Sequence, residues 1–166
     1  KVTPGALFVA MQGERVDSHQ FIAECYEKGA VACLCEKTYA ETHEISVPEG
    51  KLLWIVPETV QAMGNLAAYY RKKLGIPVIG VTGSVGKTTA KDMIAAALSG
   101  GLKVFKTPGN LNNQYGLPLA IFQIEEDTQA AVLEMGMNHF GEIRYLSHIA
   151  KPDVGVITNI GVSHIE

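Results

Sequence analysis

The sequence has no run rich in lysine and arginine, and its 14 basic residues are outnumbered by 17 acidic ones, for a formal net charge of −3. A nucleic-acid partner is therefore not indicated. No apolar stretch is long enough to cross a bilayer, and no basic segment followed by an apolar core marks a secretory signal at the start. We therefore expect a cytoplasmic protein without a nucleic-acid partner or a membrane span.

Cysteine is scarce as well. Cys25, Cys33 and Cys35 are odd in number and crowded into one short region, which is not the pattern of a disulfide framework. No further Cys or His lies beside them at the spacing of zinc ligands. These absences favour three buried, reduced thiols over redox or metal chemistry.

What the sequence does contain is a regular alternation of strand-like and helix-like segments. Hydrophobic residues make up 47% of it, enough for a sizeable core. Asp17 can cap a helix that ends at Gly29. Strands are predicted at 6–11, 30–35, 52–56, 78–82, 104–105, 130–135 and 154–159, helices at 17–29, 59–74, 89–98, 117–122 and 142–150, and loops at 36–50, 83–88 and 107–115. The alternation predicts an α/β fold with a mostly parallel sheet.

The predicted helix at 59–74 is followed by Gly75 and Pro77, which stop helices. A new strand-and-loop unit starts immediately afterwards. We therefore place a domain boundary here: residues 1–76 form a small α/β domain, and residues 77–166 form the first half of a P-loop mononucleotide-binding domain.

The strongest local signal is the segment Gly80-Val-Thr-Gly-Ser-Val-Gly-Lys-Thr-Thr89. A strand, a glycine loop and then Lys-Thr at a helix start is the arrangement of a P-loop, whose backbone N–H groups surround a phosphate. Lys87 would supply a charge to the β- and γ-phosphates, and Thr88 a hydroxyl to Mg²⁺. The predicted ATP-binding residues are Gly83, Ser84, Val85, Gly86, Lys87, Thr88 and Thr89.

This loop departs from the general P-loop pattern at one position. The first glycine of that pattern would fall at residue 81, where the chain has Val81, and the glycine instead stands at Gly83. The alternative interpretation is an ordinary glycine turn with an incidental lysine.

Five patterns occur in order along essentially the whole chain. They are Pro4-Gly-Ala-Leu-Phe-Val-Ala10 with Gly13-x-x-x-Asp17-Ser18-His19-x-Phe21-Ile22, then Thr82-Gly83-x-x-Gly86-Lys87-Thr88, Thr107-Pro-Gly-Asn-Leu-Asn-Asn-Gln-Tyr-Gly-Leu-Pro118, Leu133-Glu-Met-Gly-Met-Asn-His-Phe-Gly-Glu-Ile143 and Asn159-Ile-Gly-Val-Ser-His-Ile-Glu166. Together these segments resemble the Mur ligase family. They depart from its pattern at Ala6, where Asp is common in the family, at Ser18, where Gly is common, and at Ile165, which replaces a Leu.

The resemblance implies an ATP-dependent amide ligase of peptidoglycan precursor synthesis. The match is best to members that join D-alanyl-D-alanine to UDP-N-acetylmuramoyl-tripeptide through an acyl phosphate. It implies ATP and Mg²⁺, with Lys87, Glu134 and His164 catalytic and with Thr88, Glu134 and His164 as metal ligands. Substrate-binding residues would be Asp17, His19, Asn110, Asn112, Asn113, Asn138 and His139, although Asp17 could equally be a plain helix cap and the Asn loop a plain turn.

The same resemblance implies that the chain is incomplete. It begins with Lys1, it stops inside a motif at Glu166, and the family's carbamylated lysine and amino-substrate domain are absent. We expect a monomeric fragment that is inactive by itself. A sister ligase, a folylpolyglutamate-type ligase and a non-catalytic nucleotide-binding module stay open as alternatives.

Overall fold

The computed structural model describes residues 2–13 and 15–161. The chain forms two compact units, residues 1–63 and 64–166. The division falls inside one long helix, ahead of the boundary that the sequence places at 76/77. The reason is packing, since Ala67, Tyr70 and Leu74 in the C-terminal half of that helix contribute to the core of the second unit.

The first unit is a three-stranded parallel sheet in the order β1-β2-β3. Its core lies between this sheet and α1, where Ile22, Cys25 and Tyr26 pack with Cys33 and Cys35 of β2. In chain order the elements are β1 (Leu7–Val9), a short 3-10 helix (Ser18–Phe21), α1 (Ile22–Glu27), β2 (Ala32–Glu36), α2 (Lys37–Ala40), β3 (Leu52–Val56) and the start of α3 (Thr59–Leu74).

The second unit is built on a four-stranded, all-parallel sheet with the strand order β5-β6-β4-β7. After α3, its elements are β4 (Val78–Thr82), α4 (Lys87–Leu98), β5 (Val104–Lys106), α5 (Gly116–Ile121), β6 (Ala130–Glu134), α6 (Glu142–Ala150) and β7 (Val154–Ile157).

Helices cover both faces of this second sheet because successive side chains of a strand point to opposite faces. Val78 of β4 and Leu133 of β6 pack with α3, α5 and α6 on one side. Val81 and Val132, which lie three positions and one position away from them along the strands, pack with α4 on the other side. β4 and β6 therefore lie in the middle of three layers, and their carboxyl ends open on one edge, where open α/β sheets bind ligands.

The α/β class and the parallel sheets are confirmed, and the bounds of β3, α3, β4 and α6 are those predicted. The ends of the other elements lie one or two residues from those predicted, as in β7, which ends at Ile157 rather than residue 159, and the helix predicted at 17–29 is a 3-10 turn followed by α1. Two of the differences have a clear physical cause. Residues 37–40 form the one-turn helix α2 inside the predicted loop, a segment too short to show a helical period. α4 begins at Lys87 rather than residue 89, because Gly86 adopts a left-handed φ of 84° and ends the loop.

All three cysteines are free and buried, as predicted. Burial raises the pKa of the Cys35 thiol to about 11, so this thiol is protonated at neutral pH. Within the part of the chain that the structure describes, no helix combines the length and apolar character needed to span a membrane.

Candidate active site

The glycine loop joins β4 to α4 at the carboxyl edge of the second sheet. Its two glycines have φ values of 136° at Gly83 and 84° at Gly86, which other residues rarely adopt. Val81, at the position of the usual first glycine, is fully buried in β4. A Cβ on Gly83 would lie 2.2 Å from Thr158 Oγ1 and 3.0 Å from the Asn159 backbone. The glycine at 83 is therefore required by this close approach.

The segment that approaches the loop, residues 158–161, directly follows β7; we call it the strap. Asn159 Oδ1 accepts from the Val85 backbone N–H at 2.9 Å, and its carbonyl accepts from Ser84 N at 3.2 Å. Thr158 Oγ1 donates to the Val85 carbonyl at 2.6 Å. Ser84 Oγ donates to the Gly161 carbonyl at 2.9 Å and accepts from Gly161 N at 3.0 Å. The strap thus holds the backbone of the loop from outside its own β-α unit.

Lys87 is the first residue of α4, and its side chain turns back over the loop. Its ammonium donates to the Gly83 carbonyl at 2.7 Å and to the Ser84 carbonyl at 3.3 Å. Backbone N–H groups at the first turn of α4 add partial positive charge at the same place. A phosphate bound by this loop would meet both the ammonium and the helix N-terminus.

Glu134 ends β6 beside β4, and its buried carboxylate is the centre of a hydrogen-bond network. Thr88 Oγ1 donates to Glu134 Oε2 at 3.0 Å, and Asn112 Nδ2 donates to Oε1 at 2.8 Å. Thr107 Oγ1 accepts from the Glu134 backbone N–H at 2.9 Å. The predicted residues Thr88, Asn112 and Glu134 are therefore brought together.

The same carboxylate pairs with Lys91, whose Nζ lies 3.4 Å from Glu134 Oε2; both side chains are only 3% exposed. Lys91 follows Lys87 by one turn of α4, so both lysines lie on one helix face. Lys91 was not predicted, although its spacing from Lys87 is a signal that could have identified it. Thr107 was not predicted as a site residue either, although it opens one of the segments that resemble the family. Thr158 was also not predicted, and no local pattern pointed to it.

The residues present fit a hard divalent cation. Glu134 Oε2 and Thr88 Oγ1 are 3.0 Å apart, and oxygen donors of these two kinds are what Mg²⁺ prefers. Phosphate oxygens bound at the loop would add ligands from the adjacent side. His164 lies outside the described residues.

The structure does not bring the remaining predicted residues of the second unit to the Glu134 network. Asn113 Oδ1 accepts from the backbone N–H groups of Tyr115 and Gly116 as α5 begins, while Asn110 and Thr89 are exposed. The exposed Asn138 and His139 both donate backbone N–H groups to Glu142 Oε2, at 2.7 and 3.2 Å. These bonds lower the pKa of Glu142.

In the first unit, Asp17 and His19 bind each other. Asp17 caps the 3-10 helix by accepting from His19 N at 3.0 Å, so the predicted capping bond is confirmed, and contact of Asp17 with a substrate stays a prediction. His19 is buried, and its Nε2 accepts from the Glu36 N–H at 3.0 Å. Its Nδ1 therefore carries the proton toward Asp17 Oδ1, at 2.5 Å. Burial by itself would raise the pKa of Asp17, but the hydrogen bonds from His19 lower it.

Known proteins are similar to this chain over its whole length. The UDP-N-acetylmuramoyl-tripeptide–D-alanyl-D-alanine ligase of Bacillus subtilis is 46% identical over 100% of the chain and 35% of its own length. The Escherichia coli enzyme of that name is 38% identical, with the same coverage. A crystal structure of MurF ligase from Thermotoga maritima in complex with ADP superposes with a TM-score of 0.88 at 38% identity, over 100% of this chain and 37% of that one.

The chain thus spans about a third of the length of the curated relatives it matches. Two family models account for all of its residues: "Mur ligase family, catalytic domain" matches residues 1–92, and "Mur ligase middle domain" matches residues 81–166. The chain therefore belongs to the Mur ligase family.

Proposed function

We propose that this chain supplies the phosphate and metal site of an ATP-dependent ligase that joins D-alanyl-D-alanine to UDP-N-acetylmuramoyl-tripeptide. The observation that carries the proposal is the convergence of Lys87, Thr88 and Glu134 at the carboxyl ends of β4 and β6. The matched relatives carry this activity in their names, and one related structure holds ADP.

The chemistry explains why such a site needs concentrated positive charge. The substrate carboxylate must attack the γ-phosphoryl group of ATP, which gives an acyl phosphate and releases ADP, and the two reacting anions repel each other. Lys87 and the first turn of α4 would offset the charge of the phosphates. Mg²⁺, held by Thr88 and Glu134, would neutralise charge on the transferring group. The amine of D-alanyl-D-alanine then displaces phosphate to form the amide.

The other predicted residues keep their assignments as part of this proposal. His164 would be the ligand of a second Mg²⁺; it follows the strap in the sequence. Asn112 would orient Glu134 through the bond to Oε1. Asn110, Asn113, Asn138 and His139 would contact substrate from exposed loops.

Residues 1–76 would contribute to the uridine-nucleotide site and residues 77–166 to the ATP site. In the first domain, both ring nitrogens of His19 are used inside the protein. Direct contact with the nucleotide would therefore come from Asp17, whose side chain is 38% exposed; its carboxylate can accept from a sugar hydroxyl. We further propose a monomer, on the sequence alone.

The test uses the intact ligase that contains this chain, its Lys87→Ala and Glu134→Gln variants, and Lys106→Ala as a control. Lys106 is an exposed lysine paired with Asp92. Isothermal titration should show weaker binding of Mg²⁺-ADP for the first two variants and unchanged binding for the control. Amide formation should be specific for UDP-N-acetylmuramoyl-tripeptide with D-alanyl-D-alanine. Equal turnover of a folate substrate, or wild-type Mg²⁺-ADP affinity in both site variants, would refute the proposal.

A further inference from the structure

Lys91 is a buried cation to which the mechanism above gives no role. Its side chain is 3% exposed, and Glu134, its partner at 3.4 Å, is equally buried. A lysine in such a position is costly unless its charge is compensated. The adjacent residue of α4, Asp92, turns instead to Lys106 at the surface.

The Glu134 oxygen beside Lys91 is also the one that faces Thr88. Oε1 is occupied by Asn112, whereas Oε2 accepts from Thr88 Oγ1 and lies next to the Lys91 ammonium. A divalent cation held by Thr88 and Glu134 would therefore bind beside a fixed positive charge. The Glu134 carboxylate that would attract the divalent cation is already neutralised by Lys91.

We propose that Lys91 is a positioning residue that acts as the resident counter-ion of Glu134 and makes divalent-cation binding depend on nucleotide phosphates. The inference rests on the proposed function, because it takes Glu134 and Thr88 as the metal ligands.

The charge balance of the site gives the physical reason. Without nucleotide, Glu134 and Lys91 cancel, and Lys87 adds a positive charge nearby, so a divalent cation arriving alone meets no net negative charge. The phosphates of a bound nucleotide reverse that balance and supply further oxygen ligands. The cation would then bind with the nucleotide rather than before it, and an empty site would not retain a metal ion.

The size of the effect follows from Coulomb's law. A divalent cation about 5 Å from an ammonium group is repelled enough, even at the dielectric constant of water, to weaken binding by roughly tenfold. Replacing Lys91 with a neutral residue should therefore tighten the binding of a divalent cation alone by about tenfold or more. With ADP present the gain should be smaller, because the phosphates already compensate Lys91.

The experiment measures Mn²⁺ binding to the intact ligase by electron paramagnetic resonance, with and without ADP. The variants are Lys91→Met, Lys91→Arg, Glu134→Gln, the double variant Lys91→Met with Glu134→Gln, and Lys106→Met as the control for removal of an exposed lysine. Lys91→Met should tighten nucleotide-free Mn²⁺ binding by about tenfold, and the double variant should lose that gain. Lys91→Arg and Lys106→Met should stay within about twofold of wild type.

Lys91→Gln carries the same test if Lys91→Met does not fold. Unchanged or weaker nucleotide-free Mn²⁺ binding in the neutral variants would overturn the role of Lys91. That failure is distinct from failure of the proposed function, which would appear as wild-type affinity for Mn²⁺-ADP in Glu134→Gln itself. If Glu134→Gln weakens Mn²⁺-ADP binding while the neutral Lys91 variants change nothing, the metal site stands and only the counter-ion role falls.

Discussion

Replacing Gly83 with alanine tests the central feature of the site, the contact between the glycine loop and the strap. Gly83 has a φ of 136°, and an L residue in such a conformation costs roughly 1–3 kcal/mol. The new Cβ would also lie 2.2 Å from Thr158 Oγ1. The Thr158 hydroxyl must then move, and the hydrogen bond that it donates to the Val85 carbonyl at 2.6 Å is lost or weakened.

That hydrogen bond contributes about 0.5–1.5 kcal/mol. Together with the backbone strain, Gly83→Ala should lower the free energy of unfolding by roughly 2–4 kcal/mol. It should also weaken ADP binding, because the loop can no longer keep the shape that the strap imposes. Urea unfolding followed by far-UV circular dichroism and ADP titration measure the two effects.

The matched control is Gly101→Ala. Gly101 does not have a positive φ, and a Cβ there would have no atom within 4 Å. This substitution should be neutral or stabilising by up to about 1 kcal/mol. Adding Thr158→Ala to Gly83→Ala should give a smaller loss than the two single losses combined, because the clashing oxygen is gone. A Gly83→Ala variant with a free energy of unfolding within about 0.5 kcal/mol of wild type and normal ADP binding would contradict this prediction.

Three further predictions concern the second unit. In the intact ligase, Lys87→Ala should lower kcat about 10²–10³-fold, with uridine-nucleotide affinity near wild type by isothermal titration; a loss of both would show a folding defect instead. Asn159→Ala removes the oxygen that accepts from the Val85 N–H of the loop. It should weaken ADP binding by about fivefold, which corresponds to the free energy of one hydrogen bond; unchanged affinity would show that the strap does not shape the loop. A hydrogen bond from Val78 N–H and the charge of Arg71 lower the pKa of Asp153 below 3.8, so its stabilisation is full above that pH and is lost as the pH falls through the folded-state value. Asp153→Asn should therefore make the free energy of unfolding depend less on pH in the acid range below 3.8, and an unchanged pH dependence would contradict this.

Elements whose ends carry local signals could be predicted to the residue. α3 shows a clear helical period and is followed by Gly75, which has a φ of 64°. β4 and α6 are likewise bounded by loop residues. The helix at 37–40 escaped prediction because a single turn shows no period, and the start of α4 was placed late because the conformation of Gly86 decides where the helix begins.

The same distinction applies to the candidate site: residues that are neighbours in the sequence could be predicted, and residues that meet only in the folded chain could not. The loop of residues 83–86 with Lys87 and Thr88 is contiguous, so the residue types and their spacing were enough to predict it. Asn112 was predicted only as one member of a cluster of asparagines, and nothing local distinguishes it from Asn110 or Asn113. Only the hydrogen bond from Asn112 to Glu134 in the folded chain distinguishes it.

The sequence by itself determined the alternation of elements, the glycine loop and the position of Glu134 at a strand end, because each is encoded in neighbouring residues. Only the tertiary structure decided that β6 lies beside β4, which brings Glu134 within 3.0 Å of Thr88 across 46 positions of chain. It also decided that Lys91 is buried against that carboxylate and that the strap holds the loop. The physical reason is that hydrophobic periodicity specifies which face of an element is buried, whereas strand order depends on how all the elements pack together.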